Sequence, residues 1–155
     1  MAGCCEFAAK GTYLHRALLE FVRTELGFRR GWEPYQTAAM GVFRAQDIAG
    51  AVVFHDWNPE AGTMCMSAAG AKGWLNLEAI YRMHSYVFDG AGCQLAVLQV
   101  AEDNDHMRRT AEHFGYAGHV IPRLRGRDKA EVIYTLTEED WRASPFTARA
   151  LRNMV

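Results

Sequence analysis

The sequence predicts a single α/β domain built on a mixed, mostly antiparallel sheet flanked by helices. Three observations predict it. Apolar runs of strand length alternate with stretches of helical periodicity, a strand, loop, helix and strand follow one another in the middle of the chain, and the chain nears its end in two apolar runs around a polar turn. A length of 155 residues with 50% hydrophobic and 23% charged residues suits one domain over residues 1–155. Its core is expected over about residues 11–141, with a tail at 142–155.

In "GTYLHRALLEFVRTEL", Leu14, Leu18, Phe21, Val22 and Glu25 share one side at helical spacing, which predicts an amphipathic helix stopped at Gly27. The connector "RRGWEPYQ" leads into "TAAMGVFRA" and "DIAGAVVFHDW", apolar runs parted by "QD" that read as an antiparallel hairpin. "TMCMSAA", Thr63 to Ala69, is a third strand, reached through the turn residues "NPEAG". After the loop "GAKGW", Leu77, Ile80, Tyr81, His84, Val87 and Phe88 define a buried helical face that ends at "DGAG".

Gln94 to Val100 is apolar on both alternating faces apart from Gln94 and Gln99, so a central strand covered on both sides is expected. The strands on either side of the middle helix must then run parallel. "AEDNDHMRRTAEHFGYAG" gives a short helix with Met107, Ala111 and Phe114 inward and Gly115 as its left-handed cap. "GHVIPRL" and "EVIYTL" form a closing hairpin, with the basic stretch Pro122 to Lys129 as its solvated turn. In the tail, Phe146, Ala150, Leu151 and Met154 recur at near-helical intervals and would pack on the domain itself or on a second copy, as in a homodimer.

Composition excludes several classes. A formal net charge of -1 and a pI near 6.6 give no general field for nucleic acid. Cys4, Cys5, Cys65 and Cys93 lack the spacing of a zinc site or a disulfide framework, so reduced thiols and no metal are expected. The opening residues lack a basic stretch followed by an apolar core, and no apolar run approaches the roughly 20 residues that span a bilayer. A cytoplasmic protein is the expectation.

From Gly41 to Trp141 the order of elements resembles the GNAT superfamily of acyl-CoA-dependent N-acetyltransferases, and the small stand-alone bacterial or phage members above all. Asn104 at a strand end, Gly115-Tyr116 closing the next helix, and "RGRDKAEVIYTLTEEDW" as the last hairpin and short helix stand where that family has them. The resemblance implies a central parallel pair splayed for CoA and acetyl-CoA as co-substrate. Cofactor-binding residues would be Met66, Ser67, Gly70, Ala71, Lys72, Gly73, Trp74 and Asn104. Glycines let the main chain approach phosphate, the following helix N-terminus favours anions, and Lys72 adds a cation. Met66 and Ser67 would offer N–H groups to the thioester carbonyl, and Asn104 would bond the pantetheine arm or hold the strand end open.

Three positions depart from the family pattern. "SAAGAK" keeps Gly70 but has Ser67 and Lys72 at its ends, and Ala111 stands where many members carry a tyrosine that protonates the departing thiolate.

Acyl transfer to an amine needs a base, and His55, Asp56 and Glu33 are the catalytic candidates. "FHDW" puts His55 and Asp56 at a strand end, and an imidazole can take a proton from an ammonium through water. Glu33 lies in the connector expected across the acceptor cleft, near Trp32, Tyr35 and Trp57 as aromatic walls. His84 and Tyr116 read as core, and His106 and His113 as surface. The reading is N-acetyl transfer by direct attack of an acceptor amine. Its rivals are a CoA-binding or non-catalytic interaction module on the same fold, and acetylation of an amine carried on nucleic acid.

Overall fold

A computed structural model describes residues 3–154. Seven strands form one sheet in the order β1-β2-β3-β4-β5-β7-β6, and every neighbouring pair is antiparallel except β4 and β5. The strands are β1 (Cys4–Phe7), β2 (Ala38–Arg44), β3 (Asp47–Asn58), β4 (Thr63–Gly70), β5 (Leu95–Ala101), β6 (Ala117–Gly126) and β7 (Lys129–Thr137). The helices are α1 (Tyr13–Leu26), α2 (Leu77–Ser85), α3 (Asp105–His113), α4 (Glu138–Ala143) and α5 (Pro145–Met154). The mixed sheet with its central parallel pair is thus as expected.

Period-two alternation divides the side chains of β3 and β4 between two cores. Val52, Phe54, Met64, Met66 and Ala68 face the larger core, shared with α2, α3 and α4. Ala51, Val53 and Ala69 face the smaller one, beneath Leu18, Leu19 and Val22 of α1. Thr12 caps α1, accepting from the N–H of His15, and Gly27 closes it with φ of 70°.

Four features differ from the sequence reading. β1 was not expected; its four residues carry no periodicity of their own, and it is a strand because β2 offers a free edge, on which Cys5 pairs with Val42. β6 runs through the basic stretch to Gly126, so that the turn is only Arg127 and Asp128. The middle helix does not run evenly to its end, since Tyr86–Gly90 winds as a π-turn before β5. β5 is central but buried on one face only: Ala96, Leu98 and Val100 are buried and Gln99 is exposed, while α1 packs mainly on β2, β3 and β4.

The tail packs on its own domain in part, with Ala150 buried and Leu151 and Met154 exposed. Trp141 packs between Tyr81 and Phe88, and α5 packs on α2 with Thr147 and Ala150 buried. Among the described residues no helix is long and apolar enough to cross a membrane.

His84 and Tyr116 lock α2 to the strand that follows α3. The His84 Nδ1–H donates to the carbonyl of Ile80, which leaves Nε2 to accept from the Tyr116 hydroxyl. Both side chains are buried, as the sequence reading has them. Burial pushes the His84 imidazole down from 6.5 to about 4, opposed only by the bond to Ile80. Between those values the unfolded chain binds a proton that the folded one refuses, so stability falls as pH drops from 6.5 toward 4. The loss is about 3 kcal/mol. The stability advantage of wild type over His84→Gln, measured by urea unfolding, should shrink by about that amount between pH 7 and pH 4; an unchanged difference would show that His84 is not held neutral.

Candidate active site

β4 and β5 are paired only as far as Met66 and Leu98. Beyond that point each strand stays bound to its other neighbour, β4 to β3 as far as Gly70 opposite Gly50, and β5 to β7 as far as Ala101 opposite Glu131. The two strands therefore part. Alternate N–H groups of the parted segment of β4 lose their sheet partner, since successive residues of a strand point theirs to opposite edges. A cavity of about 880 Å³ opens there, bordered by Met66, Ser67, the loop from Gly70 to Leu75, β5 from Leu98 to Ala101, and α3 at Asn104, Met107 and Thr110.

All eight residues expected to hold the cofactor line this cavity: Met66, Ser67, Gly70, Ala71, Lys72, Gly73, Trp74 and Asn104. Their local roles are more particular than the sequence reading allows. Within the loop, the Ala71 N–H donates to the Ala49 carbonyl and the Trp74 N–H to the Ala71 carbonyl. That leaves the N–H groups of Lys72 and Gly73 without a backbone acceptor among the described residues. Asn104 caps α3, its side chain accepting from the Met107 N–H at 3.2 Å. Arg44 donates to the carbonyls of Lys72 and Gly73, at 3.4 and 2.7 Å, and so brings a second cation to the loop. Sequence reasoning missed Arg44 because only the pairing of β2 with β3 carries it there.

Gly70 has a packing reason beyond access to phosphate. A Cβ on it would lie 2.4 Å from the Trp74 ring, and one on Gly50, its partner across the sheet, 2.2 Å. The indole thus lies over a flat spot made by two glycines.

The catalytic candidates separate. His55 is buried on the α1 side of β3, with the Trp32 ring tilted over it at 5.6 Å. Its Nδ1 lies 2.6 Å from Asp56 Oδ2 and its Nε2 lies 2.9 Å from Ser67 Oγ. Ser67 is the diagonal neighbour of His55 on the next strand, since Val53 pairs with Ser67 and His55 with Cys65. Asp56 reaches back to its own neighbour because it sits in a bulge with φ of 51°, a left-handed conformation that aspartate tolerates better than most residues.

Glu33 stands apart. Its carboxylate caps the 3-10 turn Pro34–Gln36, accepting from the Tyr35 N–H at 3.4 Å, and it does not line the cavity. Of the expected aromatic walls, Trp32 meets the site, whereas Tyr35 and Trp57 are exposed. Ala111 is buried in the larger core.

A ring nitrogen of His55, the Asp56 carboxylate and Cys65 Sγ lie within 4.8 Å of one another, with His55 paired directly opposite Cys65. The 2.6 Å contact shows the histidine and aspartate already satisfying each other. Burial, and after it the Asp56 charge, pushes the Cys65 thiol up, which keeps it protonated.

Compared by sequence, the chain matches no family profile and no curated protein. Compared by structure, it resembles acetyltransferases. Spermidine/spermine N-acetyltransferase from Vibrio cholerae in complex with manganese ions superposes with a TM-score of 0.69 at 15% identity, over 92% of this chain and 96% of that one. A dodecameric spermidine N-acetyltransferase structure from the same organism gives 0.67 at 15% identity, over 90% and 96%. A protein of T. thermophilus, provisionally described as an acetyltransferase, gives 0.64 at 19% identity, over 86% and 72%. The chain thus has the GNAT fold of these acetyltransferases.

Gly50→Ala should cost about 1–3 kcal/mol in urea unfolding, because the Trp74 ring must move or the strand must shift. In a Trp74→Ala background the same change should cost under about 0.5 kcal/mol; equal costs in both backgrounds would refute the contact.

Proposed function

We propose that this protein is an acetyl-CoA-dependent N-acetyltransferase acting on an amine acceptor by direct attack. The observation that carries the reading is the parting of β4 from β5 after Met66 and Leu98, which opens a slot leading to the loop at Lys72 and Gly73. The residues present fit the cofactor. Two N–H groups without backbone acceptors, the N-terminus of α2 and the cations Lys72 and Arg44 suit a pyrophosphate. Leu98, Val100, Met107 and Phe114 on the cavity wall suit an apolar arm.

When bound, the cofactor supplies an acetyl thioester. The unpaired N–H groups of β4 beyond Met66 would polarise its carbonyl. His55 would act through Ser67: as the amine bonds to the acyl carbon and the bond from that carbon to sulfur breaks, the sulfur leaving as a thiolate, the Ser67 hydroxyl would take the amine proton and pass its own to His55 Nε2, while Asp56 holds the imidazole from the other side. Glu25 on the cavity wall suits a cationic amine on its approach, while Asp103 is paired with Lys129. Glu33 has no part in this scheme.

A non-catalytic interaction module on the same fold is the second reading, motivated by Ala111 and by the Ala71 and Trp74 N–H groups already engaged in the loop. Calorimetric titration with acetyl-CoA, with free CoA for comparison, discriminates the two. Micromolar binding, about -8 kcal/mol, supports the enzyme, and no binding by a folded sample leaves the module.

Once an acceptor amine is found by screening, His55→Ala should lower kcat by about a hundredfold or more with KM for acetyl-CoA little changed. Added imidazole should restore part of the rate. Full kcat without imidazole would remove His55 from the mechanism.

A further inference from the structure

The row Ser67, His55, Asp56 holds more chemistry than direct transfer to an amine requires. A direct attack needs a proton acceptor near the amine. It does not need a hydroxyl on the cavity wall held at 2.9 Å by an imidazole that a carboxylate grips at 2.6 Å from behind. The carboxylate fixes the tautomer. Asp56 can only accept, so the Nδ1 of His55 carries the hydrogen, and in the neutral ring Nε2 must then accept from the Ser67 O–H. The serine proton is therefore directed at a base whose other side is already anchored, the arrangement that activates a serine oxygen wherever in a sequence its parts come from.

Three further features fit a nucleophile. Ser67 lines the cavity at the first residue past the last β4–β5 pair, beside the N–H groups that parting leaves free to hold a developing oxyanion. His55 is only 10% exposed and lies against Trp32, so its ring is held in place. Cys65, the nearest competing nucleophile, is a protonated thiol and does not line the cavity.

We propose that Ser67 is itself a nucleophile, and that without an amine acceptor the protein takes the acyl group of an activated ester or thioester onto Ser67 Oγ and releases it to water. In the first step the Ser67 Oγ bonds to the acyl carbon while its proton passes to His55 Nε2. The bond from that carbon to the departing sulfur or oxygen breaks, and the leaving group carries the Nε2 proton away. In the second step water bonds to the ester carbon and gives a proton to Nε2. The bond to Ser67 Oγ breaks, Oγ recovers that proton, and a carboxylic acid leaves. Nothing is oxidised or reduced, and Asp56 stays ionised while it steadies the imidazolium formed in each step.

A thioester as the natural donor rests on the function proposed above; the nucleophile does not, and the test is chosen to keep them apart. The protein is incubated with a fluorophosphonate, which captures activated serine oxygens, and the adduct is located by peptide mass spectrometry. Hydrolysis of p-nitrophenyl acetate is followed in parallel. The expected result is an adduct on Ser67 and a matching loss of hydrolysis. His55→Gln should form the adduct at least about tenfold more slowly, and Ser67→Ala should not form it. A folded wild-type protein with no adduct on Ser67, or His55→Gln labelled at the wild-type rate, would overturn the proposal. Labelling without acetyl-CoA binding would uphold the nucleophile and remove the donor, and binding without labelling would do the reverse.

Discussion

The site depends on two strands that share a sheet but not all of its hydrogen bonds. β4 and β5 begin as a parallel pair and end as the walls of a cavity. The separation is inexpensive because each wall is secured on its far side, β4 by β3 and β5 by β7. Only the few bonds between the parted segments are forgone, at about 1 kcal/mol each. The cavity so made is lined by main chain from a central part of the fold, where N–H groups would otherwise be paired.

Alternation along β3 and β4 then decides what each wall presents. Met64 and Met66 turn into the larger core and hold the strand down, while Cys65 and Ser67 turn toward α1 and the connector that follows it. His55 shares that side, and Trp32 closes over its ring. A shift of one residue in the pairing of β3 with β4 would bury Ser67 in the larger core and turn Met66 toward His55. The two glycines under Trp74 hold the loop after β4 in the same way, by an absence of side chain that lets the ring settle on the sheet.

Both proposed reactions draw on one proton route, from Ser67 Oγ to His55 Nε2, and differ in what attacks the acyl carbon. An amine in the cavity would intercept the acyl group directly; without one, the serine oxygen is the nearest nucleophile in line with the base. The exposure of Asp56, 76% against 10% for His55, leaves the carboxylate in water while the imidazole sits under the indole. Such a carboxylate serves to orient the ring, holding Nδ1 from the solvent side.

By itself the sequence determined the elements with strong periodicity and clear stops. α1, the β2–β3 hairpin, β4, α2, β5, α3 and the closing hairpin were all legible, since apolar spacing and stop residues such as Gly27 and Gly115 act locally. The loop after β4 was legible as a candidate from the order of elements, and His55 from the chemistry that the resemblance implies. Only the tertiary structure decided the rest. β1 exists through an edge that β2 supplies, Arg44 reaches the loop at Lys72 across 28 residues, and Glu33 is taken up by a local cap. That His55 meets Ser67, 12 positions further on, follows from the register between β3 and β4. Register is a property of two strands together, and no stretch of a single strand encodes it alone.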